Sequence, residues 1–557
     1  MIRTLKAQLT ESLLTTITQS DLEAGLSPAA SPSVAWEYPS DPAFGDLSTP
    51  VAFGLAKALR RKPREIAAQI AASAAFPHDL VDRVEVAGAG YLNFFIAKPF
   101  WRHLVQEILH AGPMYGRTDV GAGRRVLVEF VSANPTGPLV VVNARAAAVG
   151  DAIARLLEAV GYQPYREYYV NDAGNQFRML ALAMEVRCRQ LLGEDCPMPD
   201  EAYPGEYVID LAREYIEQQG PDALSTPEPE RRDRLGRFAV GRILDWQRAS
   251  LEAYGVAFDR WFSERELRDR GETEQVLEAL RARDFLYEQE GALWFRSTLF
   301  GDDKDRVLVK GDGEITYFLP DIAYHQDKFT RGFERVIDLW GPDHHGYVPR
   351  MQAAMQALGH PPEALTILIV QLVRLMRGTE QVRMSKRAGQ FVTMGEVVEE
   401  VGRDAARFTF LTRRCDSQLD FDLELVKSAS EDNPVYYVQY AHTRLCGILR
   451  EAAKTQLPAP SPEDNIERLE LPEEIGLIKQ LALYPELVAG AAQALEPHRL
   501  TTYLHDLAAR FHGYYTRHRI ISADRDVTRA RLALVDALRV VMANALALLG
   551  VSAPERM

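Results

Sequence analysis

Cysteine is scarce in this chain: four among 557 residues, Cys188, Cys196, Cys415 and Cys446, with no CxxC pair. That count and spacing exclude a disulfide scaffold and a zinc ribbon, and leave reduced thiols as the plain reading. Long apolar runs are missing too. The most apolar internal stretch, Leu365 to Met376, is short, is interrupted by Gln371 and Arg374, and cannot span a bilayer. The N-terminus places Leu5, Leu9, Leu13, Leu14 and Ile17 at helical spacing, but polar and acidic residues interrupt them and no small-residue cleavage site follows. The expectation is a soluble cytoplasmic protein. Positive charge is not in excess: 64 Lys plus Arg stand against 78 Asp plus Glu, a net charge of -14. No basic surface can dominate, so a nucleic-acid partner requires positive charge concentrated locally. There is no internal repeat.

What is present is ordinary globular composition, 47% apolar and 25% charged, in a chain long enough for three or four domains. To about Met114, helical stretches mix with VEVAGAGYLNFFIAK (84–98), an alternating run that predicts strands. The Gly-rich segment from Ala111 to Arg125 reads as a linker, and neither GxGxxG nor GxxxxGK[ST] surrounds its GAG triplet. Next, VLVEFVS (126–132) suits a buried parallel strand, ANPTGPL (133–139) a turn, Val140 to Val160 a helix, and 162–172 a second strand. That is the β-α-β unit of a doubly wound sheet. A charged, helix-rich stretch near 180–280 reads as an insertion. Strand-like runs resume at ITYFLPDIAYH (315–325), FERVIDLWG (333–341) and ALTILIVQLV (364–373), and strand signals then vanish from about Val401. The division expected is an N-terminal α+β domain (1–115), a doubly wound α/β domain (116–400) and a C-terminal all-helical bundle (401–557).

Five groups of residues carry chemistry. Arg383, Ser385, Lys386 and Arg387 put three cations and a hydroxyl in one short loop, suited to charge developing on a polyphosphate or to a solvated surface. Asn134, Pro135, Thr136 and Gly137 lie beyond the carboxyl end of the first strand, where parallel sheets place ligands. Glu129 and Asp321 are isolated acids in apolar runs. Each implies a cationic partner, either an internal Lys or Arg or a bound guanidinium gripped by both. Asp343, His344 and His345 could ligate a metal, but further aspartates at the required spacing are missing, so contact with phosphate or backbone is preferred. In the C-terminal region Tyr437, Tyr440 and His442, with Tyr514, Arg517 and Arg519, interleave aromatics and cations as unstacked RNA bases require. Residues 501–557 hold eight Arg against five acids, a local charge of +3.

These pieces in this order resemble a class I aminoacyl-tRNA synthetase, specifically arginyl-tRNA synthetase of the bacterial type. VEFVSANPTGPL (128–139), EYYVNDAGNQ (167–176), LWGPDHHGYVPRM (339–351), RMSKRAGQFVT (383–393) and DNPVYYVQYAHTR (432–444) are similar to family blocks. Asp404-Ala405-Ala406-Arg407 resembles the DALR-type start of the anticodon-binding bundle, and 44–63 with 88–96 the N-terminal add-on domain. The resemblance implies a Rossmann-like catalytic domain, ATP-dependent formation of arginyl adenylate from L-arginine, and transfer to tRNA(Arg). Magnesium would accompany ATP, with no tightly bound metal, and the chain is expected to be a monomer. Carried over by motif position, Glu129 and Asp321 would hold the guanidinium, Asn134 and Tyr317 would orient the amino acid, and Arg383, Ser385 and Lys386 would stabilise the departing pyrophosphate. Pro135, Thr136, Gly137, Asp343, His344 and His345 would line the ATP site.

One segment departs from the pattern. Where the family has His-x-Gly-His, this chain reads Val140-Val141-Val142-Asn143. Both imidazoles are replaced, a branched side chain stands where close approach to adenine is expected, and Asn143 keeps only an uncharged donor. Two readings follow: an enzyme that binds ATP differently, with Asn143 catalytic, or a non-catalytic tRNA-binding relative. A third, a metal-dependent phosphoesterase built on Asp343-His344-His345, would need no amino acid.

Overall fold

In a computed structural model, residues 2–19, 33–200, 202–203, 205–220, 222–382, 392–455, 457 and 459–557 are described. The centre is a five-stranded sheet of β1 (Arg125–Glu129), β2 (Gln163–Val170), β3 (Arg260–Ser263), β4 (Arg335–Trp340) and β5 (Leu365–Ile369). Its spatial order is β5-β4-β1-β2-β3 and every pair is parallel. Val126, Leu127 and Val128 of β1 are fully buried, which explains their unbroken apolar run. Helix α1 (Val141–Ala159) crosses to β2 and packs so closely that a Cβ on Gly150 would lie 2.2 Å from the Phe130 ring. The chain leaves β1 toward β2 and β3 on one side, and β4 and β5 fill the other. The crevice between the carboxyl ends of β1 and β4 is therefore the switch point where such sheets bind ligands.

The insertion between β2 and β3 is helical, α2 (Gly174–Leu191), α3 (Glu206–Gln219) and α4 (Glu228–Ala253), but it ends earlier than expected: the stretch 180–280 also contains β3 of the central sheet. Two strand readings are corrected. ITYFLPDIAYH is not a strand, because Phe318–Thr330 is a helix, α5. Pro320 falls in its first turn, where a missing N–H costs nothing, and Phe318, Leu319, Ile322 and Ala323 are buried along it. Strands also persist past Val401. Leu419–Asp422 pairs in parallel with Val373–Arg377, in a small sheet beyond the central one. A further three-stranded antiparallel sheet, 286–289, 292–295 and 306–309, lies outside the strand-like runs read from the sequence.

The N-terminal part holds an antiparallel sheet, Leu47–Thr49, Tyr91–Ile96 and Val81–Ala87, and a helix Ile2–Thr18 that buries Leu5, Leu9, Leu13 and Ile17. The C-terminal part is a bundle of helices from Pro434–Lys454 to Arg525–Leu548. Arg407 joins the parts. It is fully buried, pairs with Asp151 of α1, and donates to Leu549 O at 3.2 Å and Tyr254 O at 3.3 Å. Beside it, Asp404 accepts from Gln439 Nε2 at 3.0 Å and from the Ser552 N–H at 3.1 Å. Among the described residues no helix is long and apolar enough to cross a membrane.

Candidate active site

The backbone leaves β1 under strain. Val131 and Ser132 have φ of 69° and 37°, a region that branched and ordinary side chains rarely occupy. The strain directs Ser132 back onto the strand end: its Oγ donates to Glu129 Oε1 at 2.8 Å and accepts from the Tyr169 N–H at 3.1 Å. Glu129 is 6% exposed, and its Oε2 accepts from Lys328 Nζ at 2.6 Å. Fully buried Lys328 also donates to Asp338 Oδ1 of β4 at 2.8 Å. His325 completes the chain, 2.7 Å from Asp338 Oδ2 and 2.7 Å from Asp321 O. Asp321, His325 and Lys328 stand at i, i+4 and i+7, one face of α5. Burial favours protonation of Asp338, yet Lys328 and His325 outweigh it and hold that carboxyl below its ordinary range.

The two sequence-predicted acids thus differ. Glu129 has an internal cation. The Asp321 side chain accepts no hydrogen bond from any described residue. Burial, with the carboxylates of Glu264 and Glu129 nearby, pushes Asp321 up to about 8. Glu264, directly after β3 and 6% exposed, was not singled out from sequence. Its Oε1 accepts from Arg268 Nε at 3.0 Å, and the Asn171 amide nitrogen reaches Oε2 at 3.0 Å. Tyr169 faces all three acids, and burial together with Glu264, Asp321 and Glu129 keeps its hydroxyl protonated. The Tyr347 hydroxyl is likewise raised by burial and by Asp321. Tyr317, at the start of α5, is 67% exposed, with Gly174 beside its ring. An acid cluster ringed by phenols, one acid lacking a partner, is a receptor for a planar cation.

The turn from Ala133 to Leu139 runs into α1. The Val140 N–H donates to Asn143 Oδ1 at 2.9 Å, so Asn143 caps its own helix, and its amide N–H₂ has no partner among the described residues. Met394 N–H donates to Leu139 O at 2.8 Å, and Val140 bridges Thr393. Arg383, Ser385 and Lys386 themselves lie outside the described residues; of the residues on either side, Gln381 pairs with Met376 and Thr393 with Val140. Across the switch point, Pro342–Tyr347 forms a 3-10 helix carrying Asp343, His344 and His345. His344 packs 6.0 Å from Trp340, and His345 lines a cavity of about 400 Å³ with Gln371 and Cys415. Among the described residues no three His, Cys, Asp or Glu are grouped to hold a metal.

In the bundle, Tyr436, Tyr440 and Arg444 share a face at i, i+4 and i+8. Arg444 lies 4.7 Å from the Tyr440 ring centre and 5.0 Å from that of Tyr515, and donates to Tyr440 Oη at 2.6 Å. Tyr440, Arg444, Tyr515, Arg517 and Arg519 border a groove of about 750 Å³. Tyr437 packs against His505 and His512. Two expected RNA contacts are corrected. Tyr514 is 1% exposed and donates to Glu474 at 3.0 Å, while His442 is 2% exposed with Nδ1 3.0 Å from Pro554 O, so neither can stack on a base.

A doubly wound parallel sheet with an inserted helical layer and a C-terminal helical bundle is the arrangement of class I aminoacyl-tRNA synthetases, and the chain matches that class in sequence. The family profile for "tRNA synthetases class I (R), catalytic domain" matches residues 104–416. "Arginyl tRNA synthetase N terminal domain" matches 4–96, and "DALR anticodon binding domain" 438–557. The chain belongs to the arginyl-tRNA synthetases. It is 49% identical to the arginine–tRNA ligase of Syntrophotalea carbinolica over 558 aligned residues, covering 100% of both chains. It is 50% identical to that of Desulforudis audaxviator, covering 99% of both. The structure of Thermus thermophilus arginyl-tRNA synthetase superposes with a TM-score of 0.75 at 26% identity, over 99% of this chain and 100% of that one.

Proposed function

We propose that the chain attaches L-arginine to tRNA(Arg), activating the amino acid with ATP–magnesium, as a cytoplasmic monomer. The observation that carries the reading is the acid cluster: Asp321, whose side chain has no hydrogen-bond partner among the described residues, lies beside the Glu264 and Glu129 carboxylates. Asp321 takes the guanidinium, with the Glu129 and Glu264 carboxylates beside it, and Asn134 and Tyr317 orient the rest of the amino acid.

The arginine carboxylate oxygen attacks the α-phosphorus of ATP. The bond from that phosphorus to the bridging oxygen breaks, and pyrophosphate leaves as arginyl adenylate forms. A tRNA ribose hydroxyl then attacks the activated carbonyl and AMP departs. Pro135, Thr136, Gly137 and the N–H groups of the first turn of α1 receive the triphosphate, with Asp343, His344 and His345 opposite. Asn143 donates its amide, and Arg383, Ser385 and Lys386 stabilise the leaving group. That division of labour explains how Val140 and Val142 are tolerated: the backbone donors remain, and charge comes from the loop. The groove beside Tyr440, Arg444, Arg517 and Arg519, with Tyr437, receives the anticodon.

The test is arginine-dependent adenylate formation with tRNA present. Lys386→Ala should lower kcat by a factor of ~10² or more and Asn143→Ala by ~10, scaled from a lost transition-state donor. No adenylate in the wild type, together with a large gain on restoring histidine at 140 and 143 and glycine at 142, would establish the non-catalytic reading instead.

A further inference from the structure

The turn that receives both small substrates is held by side chains from elsewhere in the fold, two of them from the helical insertion. Ala133 O accepts from Tyr168 Oη at 3.0 Å, and the Ala133 N–H donates to the same oxygen at 3.1 Å. Asn134 O and Gly137 O both accept from Gln247 Nε2, at 3.3 and 2.9 Å. Gln247 Oε1 in turn lies 2.8 Å from Tyr168 Oη, so the two side chains share one phenolic proton with the Ala133 carbonyl. Thr136 O accepts from Tyr207 Oη, and a Cβ on Gly137 would already stand 3.4 Å from that oxygen. Gln247 is 1% exposed in the interior of α4, Tyr168 is fully buried on β2, and Tyr207 lies in the first turn of α3.

A glutamine buried among apolar neighbours stays only where its amide is used at both ends. Here both N–H donors go to carbonyls of one turn, three residues apart along the chain. We infer that Gln247 is the positioning residue for the Asn134–Gly137 turn, and that through Gln247 and Tyr207 the insertion sets the register in which arginine and ATP are met. Gln247 touches neither substrate. It acts by fixing the carbonyls at 134 and 137, and with them the direction of the Asn134 side chain and the entry of the chain into α1.

The inference rests on the functional reading above, and the test separates the two. Gln247→Met keeps the volume and removes both hydrogen-bonding ends. Gln247→Glu keeps the volume and the acceptor for Tyr168, but aims a carboxylate at two carbonyl oxygens. With full-length protein, Gln247→Met should raise the KM for ATP and for arginine about tenfold, the loss of two ordinary hydrogen bonds. The KM for tRNA should stay within twofold, and Gln247→Glu should be worse than Gln247→Met despite its near-identical size. Hydrogen exchange of the 130–139 peptide should quicken in Gln247→Met while that of 125–129 does not. That readout needs no activity, so it stands even if the wild type proves unable to charge tRNA. Unchanged KM values for both small substrates, or activity that falls only with the folded fraction, would overturn the assignment, as would unchanged exchange.

Discussion

Arginine use should depend on pH through one carboxyl group. Burial and the Glu264 and Glu129 carboxylates push Asp321 up to about 8, against an ordinary value of 3.8, so at neutral pH the folded chain holds a proton there. A guanidinium needs the carboxylate and must displace that proton. Each pH unit below 8 then costs about 1.4 kcal/mol of apparent binding, a factor of about ten. The KM for arginine should rise about fivefold from pH 8, where half the carboxyl is already protonated, to pH 7, and about tenfold more from 7 to 6, a slope the KM for ATP lacks. Asp321→Asn should abolish the slope and weaken arginine use by about a hundredfold, as removal of one partner from a buried charge pair does. The stability effect has the opposite sense. Between 3.8 and about 8 the folded chain holds a proton that the unfolded chain has lost, so stability falls as pH rises through that window, and Asp321→Asn should raise Tm at pH 8 without arginine. The assay is steady-state aminoacylation at saturating ATP and tRNA from pH 6 to 8.5, with calorimetry in two buffers to count released protons. A flat arginine KM in the wild type, or the same slope in Asp321→Asn, refutes the reasoning.

Glu264→Gln should raise the arginine KM by ~10- to 100-fold and shift the pH midpoint downward, since a like charge beside Asp321 is gone; the same titration reads both. Arg407→Met leaves Asp151 buried without its main cation and should cost about 3–5 kcal/mol, read by urea denaturation, with the arginine KM unchanged. Arg444→Ala should weaken tRNA binding about tenfold and lower the slope of log affinity against log salt by about one, because one cation and two ring contacts are lost together.

Much of this architecture is legible in the sequence because burial on both faces writes an unmistakable pattern. VLVEFVS reads as a parallel strand, and Val140 to Val160 as the helix that covers it. The run 315–325 misleads, since Phe318, Leu319, Ile322 and Ala323 are apolar enough for a strand and Pro320 looks like a breaker. In a first turn proline breaks nothing, and the spacing of Asp321, His325 and Lys328 is the signal that was there to use. Lys328 as the cation for Glu129 follows from that helix, while the sequence pattern alone implies only an internal Lys or Arg. Glu264 is harder. It reaches Asp321 only because the sheet folds β3 next to β2, after a long helical insertion that carries no strand signal. The bundle shows a different limit. Tyr437, Tyr440 and His442 read alike as a string, but one helical face is core and another is groove, so His442 goes inward while Tyr440 and Arg444 remain at the surface.

The measurement that bears most directly on the whole account is charging of total tRNA by the purified chain with each amino acid in turn. Arginine alone should be attached, only with ATP present, and onto arginine acceptors only, in spite of Val140-Val141-Val142-Asn143 at the helix start. Attachment of another amino acid, or tRNA bound but left uncharged with every one of them, would contradict it.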